Sequence, residues 1–540
     1  MLVVPYRRAT NMRVVTPEEM RDLEARFMSE KNISSDELMG HAAYGLMLAA
    51  IDMFGRSDRG LKDEALKDTY AIICCGPGAN GGDGWALAWR LYSMQCNVIM
   101  LYAALPKEGT AAHNNYLYCK KKCPKMGMID LNECGYSKCE DGNELIKLLP
   151  DDVIYSTRRP LLCVDAMFGT GLDRPLTGAY LGMMRMLSAL RDLSKPILAA
   201  DIPSGLSGLT GENMGACPAD VTVTMQFIKR GLLLRSGQDI SGKIICKDIG
   251  IPESYAPADA PIYVLPRDVH LNKRLHDSHK GTYGHLLIAA GSCDYAGAAL
   301  MAVGAALRAG AGLVTAACVR AIQPLLQLSS PAAMAMCVTD GEVLGEDCLD
   351  KFGSALSGKN ALVIGPGLTR RASPALIASA LGSGLPAVVD ADALNIIAEN
   401  SALRALLTPH HVLTPHPGEM ARLLGHPCAD PVADAKSLAS ELNCIVLLKG
   451  CTTCISDGTS VYMMNPGAPG MACGGSGDVL SGVIGALLAQ GISPINAAIY
   501  GAMLHGRAGV LAEERLGAYS MNAKDIIDEL PHAFMEAVEK

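Results

Sequence analysis

From Gly470 to Gly491 the chain reads GMACGGSGDVLSGVIGALLAQG: Gly474, Gly475 and Gly477 open an apolar helical run with Asp478 in its first turn. Unpaired amides at a helix N-terminus bind anions, and a carboxylate beside them can take the proton of a hydroxyl. That combination suits phosphoryl transfer to an acceptor hydroxyl. A bland reading exists, in which the glycines only pack and Asp478 is a dipole partner worth under ~1 kcal/mol. Three glycines are more than a plain cap needs. Lys449, Gly450, Cys451, Thr452 and Thr453 (KGCTT) follow an apolar strand and could offer a cation and small polar contacts to phosphates. Cys451 and Cys454 form a C-x-x-C with nothing thioredoxin-like around it. In TPHPGEM, His416 stands between two prolines, so helix is expected only from Gly418 and the histidine sits in a rigid loop at a strand end.

The first half carries a second glycine cluster, GPGANGGDG at 76–84, directly after TYAIICC. It contains G-x-G-x-x-G, yet a redox dinucleotide site needs an acidic residue about 20 positions further on, at the tip of the next strand. That tip is NVIMLYAAL, without one. A dehydrogenase is therefore disfavoured, and what remains is a tight turn bearing Asn80 and Asp83. Two other strand ends resemble it. Asp165 closes LLCV and precedes FGTGLDRP; Asp201 closes ILAA and precedes IPSG. Each aspartate alone could merely cap a helix. In an open parallel sheet, neighbouring carboxyl ends share one crevice, so Asn80, Asp165, Asp201 and Ser204 are expected to meet. Their oxygens suit a group I or II cation.

These residues require parallel βαβ units to position them. Thr16, Pro17 and Glu19 start a helix. TYAIICC, NVIMLYA, LLCVDA, PILAADIP and DVTVTM then alternate with helical stretches. Residues 251–269 hold the prolines of IPESYAPADAPIYVLP and are expected to link a first domain, 1–250, to a second, 270–540. The second series runs HLLIAAG, GLVTAACV, ALVIGPG, AVVDADAL, HVLTPHPG and CIVLLKG, then a hairpin in CISDGTSVYMM. The fold class is α/β in both halves.

At 540 residues and 49% hydrophobic content, two globular domains are expected. A net charge of -8 lacks the basic excess for nucleic acid. The apolar runs fall short of the ~20 residues that cross a bilayer, so no membrane partner is expected. MLVVPYRRATNM has no export signal, and nineteen scattered cysteines fit reduced thiols, so a cytoplasmic protein is expected. Cys119, Cys123, Cys134 and Cys139 cluster in a Lys-rich stretch, at spacings that match no zinc motif.

GPGANGGDG, VDAMFGTGLDRP and DIPSGL together resemble the NAD(P)H-hydrate epimerase domain, over residues 13–248. The resemblance implies a Rossmann-like fold and a substrate held by Ala79, Asn80, Gly81, Gly82 and Asp83 and by the loop Gly169, Thr170, Gly171, Leu172, Asp173, Arg174 and Pro175. It further implies a substrate contact from Asp201, potassium among Asn80, Asp165 and Ser204, and proton transfer by Asp165. Ala79 stands where that family usually has asparagine, and MGHA, at Met39–Ala42, where it has MENA, which leaves His41 without a role.

KGTYGHLLIAAGS, IGPGL, TPHPGEMARLLG, LLKG and GGSGDVLSG resemble the NAD(P)H-hydrate dehydratase domain, of ribokinase-like fold, over residues 270–530. This implies that Ala298, Gly367, His416 and Asp478 face the hydrated cofactor, while Lys449, Gly450, Cys451, Thr452, Thr453 and Gly477 face the nucleotide. Cys473 replaces a common threonine. The implied function is bifunctional repair of NADHX and NADPHX: R and S hydrates are interconverted, and the S form is dehydrated with ADP (or ATP) as phosphoryl donor. Mg2+ and a homo-oligomer are implied with it. The alternatives are a ribokinase-type kinase fused to a regulatory domain, and a first half that only binds.

Overall fold

The computed structural model describes residues 12–55, 66–155 and 160–538. Residues 1–11, where the export-signal reading falls, lie outside the described residues. Two compact units are found, Met1–Ala260 and Pro261–Lys540.

In the first unit seven parallel strands form one sheet, in the order Gly127–Asp130, Asn97–Tyr102, Tyr70–Cys75, Leu161–Ala166, Ile197–Ala200, Val221–Met225, Lys243–Lys247. Successive side chains leave a strand on opposite faces, and both faces are buried. Thus Ile73, Cys75 and Val164 enter one core, while Ile72, Cys74 and Cys163 enter another. The helix Pro17–Lys31 starts as expected: the Thr16 hydroxyl accepts from the Glu19 N–H, and the Glu19 carboxylate accepts from the Thr16 N–H at 2.7 Å.

The second glycine cluster is less of a loop than its composition suggests. Only residues 76–78 are non-helical, and Ala79 begins the helix Ala79–Ser93. The close approach of its first turn to the preceding loop accounts for this: a Cβ on Gly81 would lie 1.8 Å from the Gly76 carbonyl oxygen. Asn80, Gly81, Gly82 and Asp83 therefore stand at a helix N-terminus.

In the second unit seven parallel strands run in the order Met334–Thr339, Leu313–Val319, His285–Ala289, Ala361–Ile364, Ala387–Val389, His411–Leu413, Ile445–Leu448. The antiparallel pair Thr453–Ser456 and Val461–Met464 extends this sheet and is the expected hairpin. Ile262–Tyr263 pairs with Val461–Met464. The stretch expected to be a plain linker thus contains a short strand: Ile262 and Tyr263 have high β propensity, and Pro261 stands just before the strand, where proline is tolerated. The apolar helix Ser476–Ala489 lies on the sheet, where a Cβ on Gly485 would meet Val363 Cγ2 at 2.4 Å. Among the described residues no helix is long and apolar enough to cross a membrane.

Candidate active sites

Each unit contains one position where the strand order reverses, and a crevice opens there between loops that leave in opposite directions. In the first unit it lies between Tyr70–Cys75 and Leu161–Ala166. Asn80 follows the first of these strands, and Asp165 and Gly169 belong to or follow the second. Asp201 follows the next strand along, Ile197–Ala200.

Asn80, Gly169 and Asp201 come together: a Cβ on Gly169 would lie 3.4 Å from Asp201 Oδ2 and 3.5 Å from Asn80 Cγ. The Asn80 amide is buried, and neither its oxygen nor its nitrogen has a hydrogen-bond partner among the described residues. Leaving such a group unsatisfied costs about 1–3 kcal/mol, so its amide is open to a ligand or a water.

Asp165 and Ser204 form a second, adjoining pair. Asp165 Oδ1 accepts from the Ser204 hydroxyl at 2.6 Å and from the Met167 N–H at 3.2 Å, and Oδ2 accepts from the Ser204 N–H at 2.7 Å. Burial raises the Asp165 pKa, and these hydrogen bonds oppose the rise. No helix directly follows Asp165 or Asp201, which removes the helix-cap reading of both.

Asp201 occupies the left-handed region at φ 62°, a strained setting for a non-glycine residue. Its Oδ1 holds that geometry by accepting from Lys229 Nζ at 2.7 Å, Thr224 Oγ1 at 3.2 Å and the Met225 N–H at 3.3 Å. Lys229 was missed in the sequence. Only 1% exposed, it lies in QFIKRGLLL beside Arg230, and nothing in that stretch marks the lysine rather than the arginine as the buried cation. Burial pushes the carboxyl of Asp83 well up, with Asp201 and Glu24 adding to it; burial also raises Glu24. Ala79 and residues 171 and 173–175 are exposed, while Gly169, Thr170 and Leu172 are half-buried. His41 is exposed, with Nδ1 2.9 Å from the Ile249 carbonyl oxygen.

In the second unit the reversal lies between His285–Ala289 and Ala361–Ile364. Ala298, in the first turn of the helix Ala296–Arg308 after the first of these strands, meets Gly367, in the loop after the second: a Cβ on Gly367 would lie 2.8 Å from Ala298 Cβ. The next three strand ends lead to Asp390, His416 and Lys449. Gly475, at φ 92°, turns the chain into the helix Ser476–Ala489 and so delivers Asp478 to the same edge. A Cβ on Gly477 would lie 3.3 Å from Lys449 Nζ and 3.8 Å from Asp390 Oδ2. Burial, then Asp390, pushes Asp478 up to about 7, against the pull of Lys449. Asp392 adds to the rise and accepts from the Thr369 N–H at 2.9 Å, which ties the Gly367 loop to this group.

His416 caps a helix that starts at Pro417, one residue earlier than expected, because proline is tolerated at the first helical position. Its Nδ1 accepts from the Gly418 N–H at 2.9 Å, leaving Nε2 near Glu419 Oε1 at 3.5 Å. Of KGCTT, Gly450 and Cys451 are exposed, whereas Thr452 and Thr453 are buried. Asp390, Glu419 and His505 were also missed. Asp390 had the signal that marked Asp165 and Asp201, an aspartate closing an apolar strand.

Among the described residues no group of three or more His, Cys, Asp or Glu side chains could hold a metal ion. Cys119 and Cys123 are buried, Cys139 is half-buried and Cys134 is exposed.

Residues 35–231 match the family described as YjeF-related protein N-terminus, and residues 286–532 match the family described as NAD(P)H-hydrate dehydratase. A bifunctional NAD(P)H-hydrate repair enzyme of Moorella thermoacetica is 37% identical over 98% of this chain and 98% of its own length. The chain belongs to the bifunctional NAD(P)H-hydrate repair enzymes. A second member, from Coxiella burnetii, is 34% identical over 95% of this chain and 97% of its own length. Among solved structures, an ADP/ATP-dependent NAD(P)H-hydrate dehydratase from Bacillus subtilis is 30% identical, with a TM-score of 0.43, covering 50% of this chain and 95% of that one. As a repair enzyme of this family the chain has both epimerase and dehydratase activities, an isomerase and a lyase in one polypeptide.

Proposed function

We propose that the first crevice interconverts R- and S-NAD(P)HX and that the second dehydrates the S form with ADP as phosphoryl donor. The observation that carries this reading is Asp478, a carboxyl at a glycine-opened helix N-terminus whose protonation range is lifted to about 7. A base poised near the working pH beside an anion hole fits activation of a hydroxyl toward phosphate.

In the second site Asp478 takes the proton of the hydrate's C6 hydroxyl as that oxygen attacks the terminal phosphorus and the bond to the leaving nucleotide breaks. The amides of Gly477 and its neighbours and the Lys449 ammonium face the transferred charge. The ring nitrogen's lone pair then expels phosphate from C6, and loss of a C5 proton restores the dihydropyridine. Gly367, Ala298 and His416 line the side of the ring, while Gly450, Cys451, Thr452 and Thr453 line the nucleotide. No triad of metal-ligating side chains stands there among the described residues. That fits Mg2+ arriving on the nucleotide's phosphates, as this ion commonly does.

In the first site, protonation of the C6 hydroxyl lets it leave as water while the ring nitrogen's lone pair forms a C=N bond; water returning to the opposite face gives the other hand. Asp165 exchanges the proton, and Asp201 Oδ2, left free by Lys229, accepts from the substrate. Ala79 through Asp83 and the loop Gly169 to Pro175 enclose it. Asn80, Asp165 and Ser204 would hold potassium, which the unpartnered Asn80 amide fits; its charge would offset the carboxylates around the substrate. The many cysteines buried in apolar surroundings support a cytoplasmic setting.

The test supplies purified protein with separated epimers, with and without ADP, and follows the absorbance of reduced nicotinamide. Recovery from both epimers only with ADP is expected. A stable phosphorylated hydrate without reduced nicotinamide would favour the kinase reading.

A further inference from the structure

Asp390 ends the strand Ala387–Val389 at the edge of the dehydratase site and is 1% exposed. Both of its oxygens are engaged inside the protein. Oδ1 accepts from Lys449 Nζ at 2.8 Å, and Oδ2 accepts from the Ser481 hydroxyl at 2.7 Å. Asp390 is thus not placed to touch substrate. What it does instead is fix a lysine.

Lys449 leaves the end of Ile445–Leu448 and lies under Gly477, in the first turn of the helix whose amides face the phosphoryl group. Ser481 belongs to that same helix, three residues after Asp478, so the two side chains share a face. One rigid element therefore carries the anion-binding amides, the base, and the hydroxyl that sets the lysine's counter-charge.

We propose that Asp390 is a positioning residue of the dehydratase: clamped by Ser481, it holds the Lys449 ammonium at the helix N-terminus, where negative charge gathers as the phosphoryl group moves. This rests on the phosphoryl-transfer reading above. Two physical arguments support it. A lysine side chain is long and freely rotating, so a tether in the resting enzyme removes an ordering cost from the transition state. Burial alone would also drive the lysine toward its neutral amine. Instead Asp390 and Glu419, whose Oε2 lies 4.0 Å from Nζ, outweigh burial and raise its pKa. The other titratable neighbours are Asp478, Asp392 and His505, the last pushed down to about 4 by burial.

The test is Asp390→Asn in the full chain, which keeps the shape and removes the charge. With the S epimer and ADP, kcat is expected to fall about 10- to 100-fold, the range common for groups that orient another ligand or catalytic group. The KM for the hydrate should stay within about twofold. Lys449→Met should lose at least as much, and the double variant should lose no more than Lys449→Met alone, because both substitutions remove one device. If Asp390→Asn does not fold, Ser481→Ala carries the test, with kcat expected to fall about 3- to 10-fold at unchanged KM. Wild-type kcat in the foldable variant, a raised KM at unchanged kcat, or multiplicative losses in the double variant would overturn the proposal. If Lys449→Met and Asp478→Asn both retain dehydration, the phosphoryl-transfer reading itself falls, a result distinct from failure of Asp390→Asn alone.

Discussion

As the proposed base, Asp478 would meet a catalytic requirement at the expense of the fold. Its native carboxyl holds a proton up to about 7, whereas an unfolded aspartate releases it near 4. Between those values the folded chain binds more protons than the unfolded one, so this group's contribution to stability declines as pH rises. The full penalty, about 4 kcal/mol, is reached above pH 7. Asp478→Asn is therefore expected to abolish dehydration and to raise the melting temperature of the second unit, more at pH 8 than at pH 5; calorimetry at both pH values checks this. In the native enzyme, dehydration should fall off below about pH 7 as the base is protonated.

Lys229 makes the opposite case. Lys229→Met would strand the Asp201 carboxylate, 14% exposed on its side chain, without its cation. The expected loss is ~3–5 kcal/mol from the first unit and more than tenfold in R-to-S conversion. Lys229→Met/Asp201→Asn should recover much of the stability and none of the activity, as thermal melts and an epimer assay would report. Asp165, Asp201 and Asp478 were legible because each stands at the end of an apolar strand or the start of an apolar helix. Their partners were not: Lys229 lies 28 residues from Asp201, and Lys449 lies 59 from Asp390. No local pattern encodes such a meeting.

Among elements, the same contrast separates the middle of each sheet from its rim. Central parallel strands, buried on both faces, read as unbroken apolar runs, and TYAIICC, LLCVDA and ALVIGPG all revealed themselves this way. The strands that escaped notice include Gly127–Asp130, Lys243–Lys247 and Met334–Thr339, all at sheet edges and all partly exposed. Their residues resemble those of loops because half of each strand meets water. Helix starts were legible to within a residue at Pro17 and Pro417, whereas the glycines at 81–84 concealed a helix whose reason is tight packing.

Glycines that permit such packing can be tested against glycines that do not. A Cβ on Gly482, in Ser476–Ala489, would lie 2.2 Å from the Ala302 carbonyl oxygen of the helix Ala296–Arg308. Overpacking of this kind costs about 1–3 kcal/mol, more than the ~1 kcal/mol that alanine gains in helix propensity. Gly482→Ala should accordingly destabilise the second unit and displace Asp478, lowering dehydration while epimerisation persists. Gly353→Ala, where a Cβ meets nothing within 4 Å, should instead stabilise by up to ~1 kcal/mol. Opposite signs in the two melts are the expected result.

For the whole molecule, the decisive fact is that every group of the first crevice belongs to Met1–Ala260 and every group of the second to Pro261–Lys540. On the proposed reading each site then works within its own unit, and what the two exchange is the S hydrate. A chain with Asp201→Asn should then recover reduced nicotinamide from the S epimer at the normal rate but fail on the R epimer. A chain with Asp478→Asn should convert R to an R/S mixture and stop. Mixed in equal amounts, the two inactive-for-R proteins are expected to restore recovery from R, because the hydrate can leave one site and diffuse to the other. A mixture that stays as slow as either variant alone would mean that the hydrate does not pass freely between molecules. In that event the fusion of the two units would serve transfer of substrate rather than mere co-expression of two independent enzymes.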